Sequence, residues 1–120
     1  MPDQSVVQAR SNKVILTIGG HHSLQSAESC AKEMVRLARA SSDFEFVVDI
    51  TNMTGYDPPA REVWSNALAS IRDHLAGVAL VGASTLHRMV TATVCLYARL
   101  PLRTAASMTE LPPFVPKKKR

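Results

Sequence analysis

Asp49 and Asp57 are the two carboxylates whose positions could support acid–base chemistry. Asp49 ends a predicted strand, and Asp57 begins a predicted helix. Acid–base catalysis also needs a nucleophile, an electrophile or a glycine-built oxyanion site, and none accompanies this pair. Asp49 is better suited to capping a turn by accepting the backbone N–H of Thr51 or Asn52. We therefore predict no catalytic residue in this segment.

His21 and His22 are the residues that invite a metal-binding interpretation, with Cys30 nearby in the sequence. Adjacent side chains on an extended segment point to opposite faces, so the two imidazoles do not converge on one ion. Neither HExxH nor CxxC spacing accompanies them. We predict no metal site, and we place both histidines in a loop.

Ser84, His87 and Asp57 are the residue types of a serine-hydrolase triad. A nucleophilic serine of that kind lies in a Gly-x-Ser-x-Gly turn, which is missing around Ser84. Ser84 is better suited to capping the helix that follows it. The sequence therefore predicts a protein that is not an enzyme and needs no cofactor.

The segment Asp57-Pro58-Pro59 has the composition of a helix start. Asp is a favoured N-cap, proline is favoured in the first helical turn, and the carboxylate complements the positive end of the helix dipole. A phosphate-binding loop would need free backbone N–H groups, and the two prolines remove two of them. We predict a capped helix start at Asp57 and not an anion site.

One domain must position these residues. The chain has 120 residues, of which 46% are hydrophobic and 20% charged, enough for a single core. The net charge of +4 comes from the basic segment 117–120, since the rest has ten Lys and Arg against ten Asp and Glu. A chain without a basic face does not bind nucleic acid strongly. We expect a domain over residues 1–106 and a proline-rich, basic tail over 107–120.

The N-terminus lacks a cationic start followed by an apolar run, and no segment has the roughly 18 uncharged apolar residues that span a bilayer. Cys30 and Cys95 lie among apolar residues in predicted helices, so we expect two buried free thiols. These features predict a cytoplasmic protein without stable membrane insertion.

Hydrophobic spacing predicts alternating strands and helices. Strands are expected over residues 6–9, 14–18, 44–50, 78–81 and 102–105. The first helix runs from about residue 23, the second follows Asp57 and ends at Gly77, and the third runs from Ser84 to about Leu100. The helical stripes are Leu24, Ala27, Ala31, Met34, Val35 and Ala38 in the first, and Trp64, Leu68, Ile71 and Leu75 in the second. This order predicts a single-domain α/β fold: a mixed, largely parallel sheet with an N-terminal hairpin and about three packed α-helices.

The third helix carries more apolar residues than one sheet-facing stripe needs. Six residues of this helix could face the sheet: Leu86, Met89, Val90, Thr93, Val94 and Tyr97. Further apolar residues lie on other faces: Ala92, Cys95, Leu96, Ala98 and Leu100. Either the rest of the chain covers this helix or it forms a homodimer or partner interface. Trp64 is expected to pack in the core, and Tyr56 to offer a surface contact.

Three stretches resemble the STAS domain, the family of bacterial anti-sigma factor antagonists and of the cytoplasmic tails of sulfate transporters. VILTIGGHHSLQSAE is similar to its strand, turn and first helix, VVDITNMTGYDPPA to its strand, loop and switch-helix start, and GVALVGASTLHRMV to its next strand and helix. The resemblance covers residues 6–105 and implies a STAS-like fold.

At the family's switch, an acidic or amide residue ends the strand and Asp-Ser-Ser/Thr-Gly begins the helix, with the first Ser accepting phosphate. Asp49 and Asp57 match the two acidic positions. Pro58 stands at the phosphate acceptor and Ala60 replaces the glycine. Because proline has no hydroxyl, the usual phosphorylation switch is lost at this position, as in a diverged branch of small STAS-like proteins.

The resemblance implies a non-enzymatic protein-interaction module in bacterial intracellular regulation, with a protein partner and with homodimerisation as a further option. The alternative is a small-ligand or lipid-binding domain. A deep apolar pocket with a few polar groups would favour the ligand, and a flat surface around Tyr56 and Arg61 the protein partner. The candidate partner-binding residues are Thr54, Tyr56, Asp57, Arg61, His87, Arg88, Leu96 and Leu100.

Overall fold

In the part of the chain that the structure describes, an opening hairpin of two strands is followed by three helices that alternate with three further strands. The computed structural model describes residues 5–10, 13–40 and 44–110. The strands are β1 (Val6–Arg10), β2 (Lys13–His22), β3 (Phe44–Tyr56), β4 (Leu75–Val81) and β5 (Leu102–Ala105). The helices are α1 (Leu24–Arg39), α2 (Ala60–Ser70) and α3 (Thr85–Ala98), with single 3₁₀ turns at Arg72–His74 and Met108–Glu110.

The strands follow one another across the sheet in chain order, β1-β2-β3-β4-β5. The β1 strand pairs antiparallel with β2, and the other neighbours are parallel. The central position of β3 and the antiparallel edge confirm the predicted mixed sheet. The turn predicted at residues 11–12 and the helix break predicted at 41–43 lie outside the described residues.

The main core lies between one face of the sheet and the three helices. Right-handed crossovers between successive parallel strands place their helices on the same face. The predicted stripe of α1 is confirmed, because Ala27, Met34 and Ala38 are fully buried. Ser23 caps this helix by accepting the backbone N–H of Ser26 at 3.1 Å.

Two strands are longer than the sequence pattern predicts. Both β2 and β3 continue through polar residues that were interpreted as turns, so His21 and His22 end a strand and do not lie in a loop. Register shifts between the two strands accommodate this polar half, where Gly20 has a positive φ of 75°. Strand pairing with β2 therefore holds most of the segment of β3 that follows Asp49.

The predicted end of the second helix was also wrong. α2 stops at Ser70, one 3₁₀ turn follows, and Leu75 already belongs to β4. Gly77 lies inside that strand and does not end a helix. A Cβ atom at this position would lie 3.1 Å from the carbonyl oxygen of Pro101, so close packing of the chain explains the glycine.

The α3 helix begins as predicted, with the Ser84 hydroxyl accepting the N–H of His87 at 3.3 Å. Its end is also defined: Arg99 adopts a left-handed φ of 58°, and the N–H of Leu100 bonds the carbonyl of Cys95 at 2.8 Å. Leu100 is only 8% exposed and packs in the core, which corrects its assignment to a partner surface. Met89 is 64% exposed and does not face the sheet as expected.

The opposite face of the sheet carries a smaller cluster, in which Val47, Ala79 and Val81 are fully buried. Beside it, Glu45 on β3 and Arg103 on β5 form a bidentate pair across β4, with N–O distances of 2.5 and 2.8 Å.

Within the described residues, no helix is long and apolar enough to cross a membrane. The basic segment predicted to be a tail, residues 117–120, lies outside those residues.

Candidate functional site

A pocket of about 110 Å³ opens between the helix-covered face of the sheet and helices α2 and α3. Its walls are mainly apolar. The cavity leaves Val48 only half-buried, although this residue lies in the middle of the central strand and faces the helices. The lining residues come from five elements: Leu16, Ile18, His22, Phe46, Val48, Ile50, Met53, Tyr56, Ala60, Arg61, Trp64, Leu68, Val78, Leu80, His87, Thr91 and Val94.

Trp64 and His22 form the polar part of the inner wall. The indole N–H of Trp64 donates to His22 Nε2 at 3.1 Å, and His22 Nδ1 lies 3.1 Å from the hydroxyl of Ser5. Because an indole nitrogen only donates, Nε2 must be an acceptor, and the proton of the neutral imidazole lies on Nδ1. Trp64 also stacks on Phe46, with ring centroids 5.5 Å apart. These contacts hold the tryptophan beside the cavity.

Four side chains with polar groups, Tyr56, Arg61, His87 and Thr91, form what we call the rim of the pocket. Arg61 is exposed, while the other three are half-buried. The rings of Tyr56 and His87 meet edge to face, with centroids 6.0 Å apart, and so connect β3 to α3. The rim therefore has one permanent positive charge, two hydroxyl groups and one imidazole.

Asp57 lies next to this region but does not cap α2. The residue preceding α2 is Pro59, which makes no side-chain cap bond. The Asp57 carboxylate instead accepts the backbone N–H of Leu24 at 2.8 Å and bonds His21 Nε2 at 2.7 Å. It therefore caps α1 across space, because β2 and β3 end side by side. The His21 hydrogen bond, and then that of Leu24, lowers the pKa of Asp57 below its usual range.

The other groups considered for catalysis have structural partners. Asp49 accepts both the backbone N–H and the hydroxyl of Thr51, at 3.0 and 2.7 Å, which confirms the predicted contact, although it lies within β3 and not in a turn. Cys30 and Cys95 are buried free thiols, as predicted. Burial raises the pKa of the Cys95 thiol to about 11, so it is protonated at neutral pH and a poor nucleophile.

The described residues contain no group of three His, Cys, Asp or Glu side chains that could hold a metal ion. Pro58 and Pro59 form the turn before α2, and the N–H of Ala60 bonds the carbonyl of Asp57 at 2.9 Å. The position that matches the phosphate acceptor of STAS domains thus has neither a hydroxyl nor a backbone N–H.

The structure brings together three of the eight candidate partner-binding residues, Tyr56, Arg61 and His87, at the rim. Thr54 and Arg88 are exposed but do not line the pocket. Asp57 and Leu100 have the structural places given above, and the side chain of Leu96 lies outside the described residues.

Sequence reasoning missed the role of His22, Met53 and Thr91 in the pocket. Strand alternation through His22 would have placed it on the same face as Leu16 and Ile18, had β2 been extended past its glycines. Met53 and Thr91 carried no comparable signal, because a cavity depends on how far two packed elements stand apart.

Solved structures share this architecture, and two of them illustrate the similarity to this chain. An uncharacterized protein of the DUF3478 family with a SpoIIAA-like fold, from Shewanella loihica PV-4, matches with a TM-score of 0.68 and 11% identity over 89% of this chain and 88% of that chain. The anti-sigma factor antagonist SpoIIAA in its unphosphorylated form matches with a TM-score of 0.66 and 9% identity, over 89% and 92% of the two chains. No family model matches the chain, and no curated protein matches it by sequence. The chain thus has the SpoIIAA-like fold, the STAS-like architecture that its three sequence stretches predicted.

Proposed function

We propose that the protein is a non-enzymatic module that binds a small apolar ligand. The observation that carries the proposal is the pocket, whose wall is mainly apolar and has a few polar groups, namely the hydrogen-bonded Trp64 and His22 on the inner wall and the four side chains of the rim. Binding sites for small molecules have this composition, with a few placed polar groups that orient the ligand. The Ser5 hydroxyl lies beside His22 Nδ1, but this nitrogen carries the proton and cannot act as a base, so binding is the chemistry that this site supports.

The size of the pocket limits the ligand. A cavity of about 150 Å³ in another protein accommodates a benzene ring. A pocket of about 110 Å³ therefore suits a short aliphatic chain or a group slightly smaller than that ring. Of the ligands expected from the sequence, a small molecule fits better than a complete lipid.

The fluorescence of Trp64 can report ligand binding, because this residue is the only tryptophan of the sequence and lies in the pocket wall. Titration with short-chain alcohols or acids should change its fluorescence in a saturable way. Val48→Phe places a ring in the cavity and should abolish the change. Thr17→Phe adds the same ring at an exposed position of β2, on the opposite face of the sheet, and should leave the titration unchanged. Loss of the signal in both variants, or in neither, would contradict the proposal.

A second candidate is a protein-interaction module in bacterial intracellular regulation. The observation that favours it is an exposed apolar side chain two residues after the rim residue His87: Met89 is 64% exposed and follows the exposed Arg88 on α3. One of the solved structures that share this fold is an anti-sigma factor antagonist. A partner captured from the native cell by the wild-type protein, and lost with Met89→Glu but not with Ser70→Glu on exposed α2 surface, would support this candidate.

If such a partner is a kinase, residues 57–60 should remain unmodified, because none of them has a hydroxyl group. Incubation with the partner and ATP, followed by peptide mass spectrometry, checks this expectation. Phosphate on Thr54 or Ser65 would place regulation outside the usual switch position, whereas phosphate on Asp57 would contradict the assignment of this carboxylate to the cap of α1.

A further inference from the structure

We propose that the ligand is a small monocarboxylate, whose carboxylate group binds Arg61 at the rim while its short apolar chain enters the pocket. This inference rests on the proposed ligand-binding function and adds the charge and size of the ligand. It follows from the charges around the pocket, from the availability of Arg61 and from the dimensions of the cavity.

The one permanent charge among the lining residues that the structure describes is positive. Arg61 is the permanently charged group, and His22 and His87 are the other basic side chains. No aspartate or glutamate is among the lining residues that the structure describes. An apolar cavity with a cation at its entrance favours a ligand with an anionic end and an apolar body, because the low-polarity wall strengthens the attraction between the charges.

Arg61 is available for such a ligand. Two other arginines have a carboxylate partner within their side-chain reach: Arg36 pairs with Glu33, and Arg103 pairs with the buried Glu45. Among the described residues, Arg61 has no comparable ion pair, although it lies at the start of a helix that packs against the core. A guanidinium with free donors binds a carboxylate through two parallel hydrogen bonds, and this geometry matches one planar monoanion.

The backbone at the start of α2 does not provide the anion site. The N–H groups of Ala60, Arg61, Glu62 and Val63 all donate to the carbonyls of Asp57, Pro58 and Pro59. An anionic ligand must therefore be recognised by side chains. Tyr56, His87 and Thr91 are the rim groups that can complete the hydrogen bonding of a carboxylate held by Arg61.

The dimensions distinguish a free small acid from a lipid chain. The cavity of about 110 Å³ accommodates an apolar group no larger than a small ring, so the ligand should be a short-chain acid. A long fatty acid would leave most of its chain in water. Chain length is therefore a second variable of the experiment, independent of charge.

Isothermal titration with hexanoate, hexanamide and hexylamine tests the charge preference on three ligands of nearly equal size. Hexanoate should bind at least about tenfold more tightly than hexanamide, and hexylamine most weakly, since a charge-assisted bidentate contact contributes at least that factor. Arg61→Gln should remove the preference for hexanoate while hexanamide still binds. Arg72→Gln, which changes an exposed arginine outside the pocket, should keep it.

Each outcome has a distinct meaning. Equal binding of the three ligands, unaffected by Arg61→Gln, would overturn the carboxylate while leaving the ligand-binding function intact. Binding of none of them would contradict the proposed function itself. Dodecanoate provides the test of size: if each added methylene tightens binding about fourfold, as a fully buried chain would, the ligand is a lipid chain and the short-chain assignment is wrong.

Discussion

Trp64 links the helix layer to the pocket wall through a single hydrogen bond to His22, which is 3% exposed. A buried acceptor that loses its donor keeps the cost of its desolvation, so this bond is more important than its length suggests. The stacking of Trp64 on Phe46 contributes separately, through contact area. The two contributions can be separated by one substitution.

Trp64→Phe should lower the free energy of unfolding by about 1–3 kcal/mol, because the ring stays stacked while His22 Nε2 loses its donor. Urea denaturation followed by circular dichroism measures the change. Trp64→Phe combined with His22→Phe should recover part of the loss, since the buried acceptor is then gone. Equal stability of the wild type and the single variant would mean that the hydrogen bond has no net effect.

The Asp57 carboxylate makes stability depend on pH in the acid range. Its pKa is lowered in the folded protein by the His21 hydrogen bond and then by the Leu24 N–H, so the unfolded chain takes up a proton first as pH falls. The contribution is complete above the ordinary aspartate pKa of about 4 and disappears as pH falls through the lower folded value.

Asp57→Asn should therefore reduce the difference between urea midpoints measured at pH 6 and pH 3. Asp73→Asn, at an exposed carboxylate on the 3₁₀ turn, serves as the control and should leave that difference close to the wild-type value. An Asp57→Asn protein whose stability falls as steeply with acid as the wild type would show that other carboxylates determine the response.

Among the elements, α1 depends most on capping from outside its own sequence. Ser23 caps it locally, and Asp57 binds the N–H of Leu24 from the end of β3. The start of α2 has no side-chain cap. The side chain of Asp57 therefore stabilises the preceding helix, while its backbone carbonyl bonds the first residue of the helix that follows it.

Ser23→Ala should cost about 1 kcal/mol of unfolding free energy, because the N–H of Ser26 loses its acceptor. Ser29→Ala is the matched control, at an exposed interior position of the same helix, and should be neutral or slightly stabilising. Thermal unfolding of the two variants beside the wild type gives the comparison. A similar change in both would assign the effect to helix propensity and not to the cap.

The elements also show what the sequence could and could not predict. The α1 stripe and the central strand follow from periodicity, which burial on one face enforces. Leu75 has helical spacing from Leu68 and Ile71, but the glycine two residues later is needed in a strand that passes Pro101. The sequence predicts Tyr56, Arg61 and His87 as contact residues one by one, from residue type and position. Their convergence around a cavity could not be predicted, because it depends on the separation of α2, α3 and the sheet.

At the scale of the whole molecule, we expect α3 to contribute to self-association. Met89 is exposed on this helix, between Arg88 and residues whose side chains the structure does not describe. A contiguous apolar patch on a helix surface usually marks an interface, and the many apolar residues of α3 around Met89 predict such a patch. Residues 111–115, a Leu-Pro-Pro-Phe-Val segment outside the described part, offer the alternative of covering within one chain.

Sedimentation equilibrium of the full chain and of residues 1–106 separates these two possibilities. Self-association that weakens with Met89→Glu or Leu96→Glu, and is unchanged by Glu62→Gln on α2, would support the interface. A dimer that forms only after the segment is removed would mean that residues 107–120 cover the helix. Monomers at high concentration in both cases would exclude the interface.

The agreement between strand order and chain order has a consequence for how the protein folds during synthesis. Lys13 pairs with Glu45, Phe46 with Val78, and Val78 with Leu102, so every strand leaving the ribosome meets a neighbour that has already emerged. No late strand has to insert between two earlier ones, as happens in sheets with a permuted order. The nascent chain can therefore build its sheet by addition at one edge, and each strand at the growing edge waits only for the synthesis of one helix and one strand before it is paired.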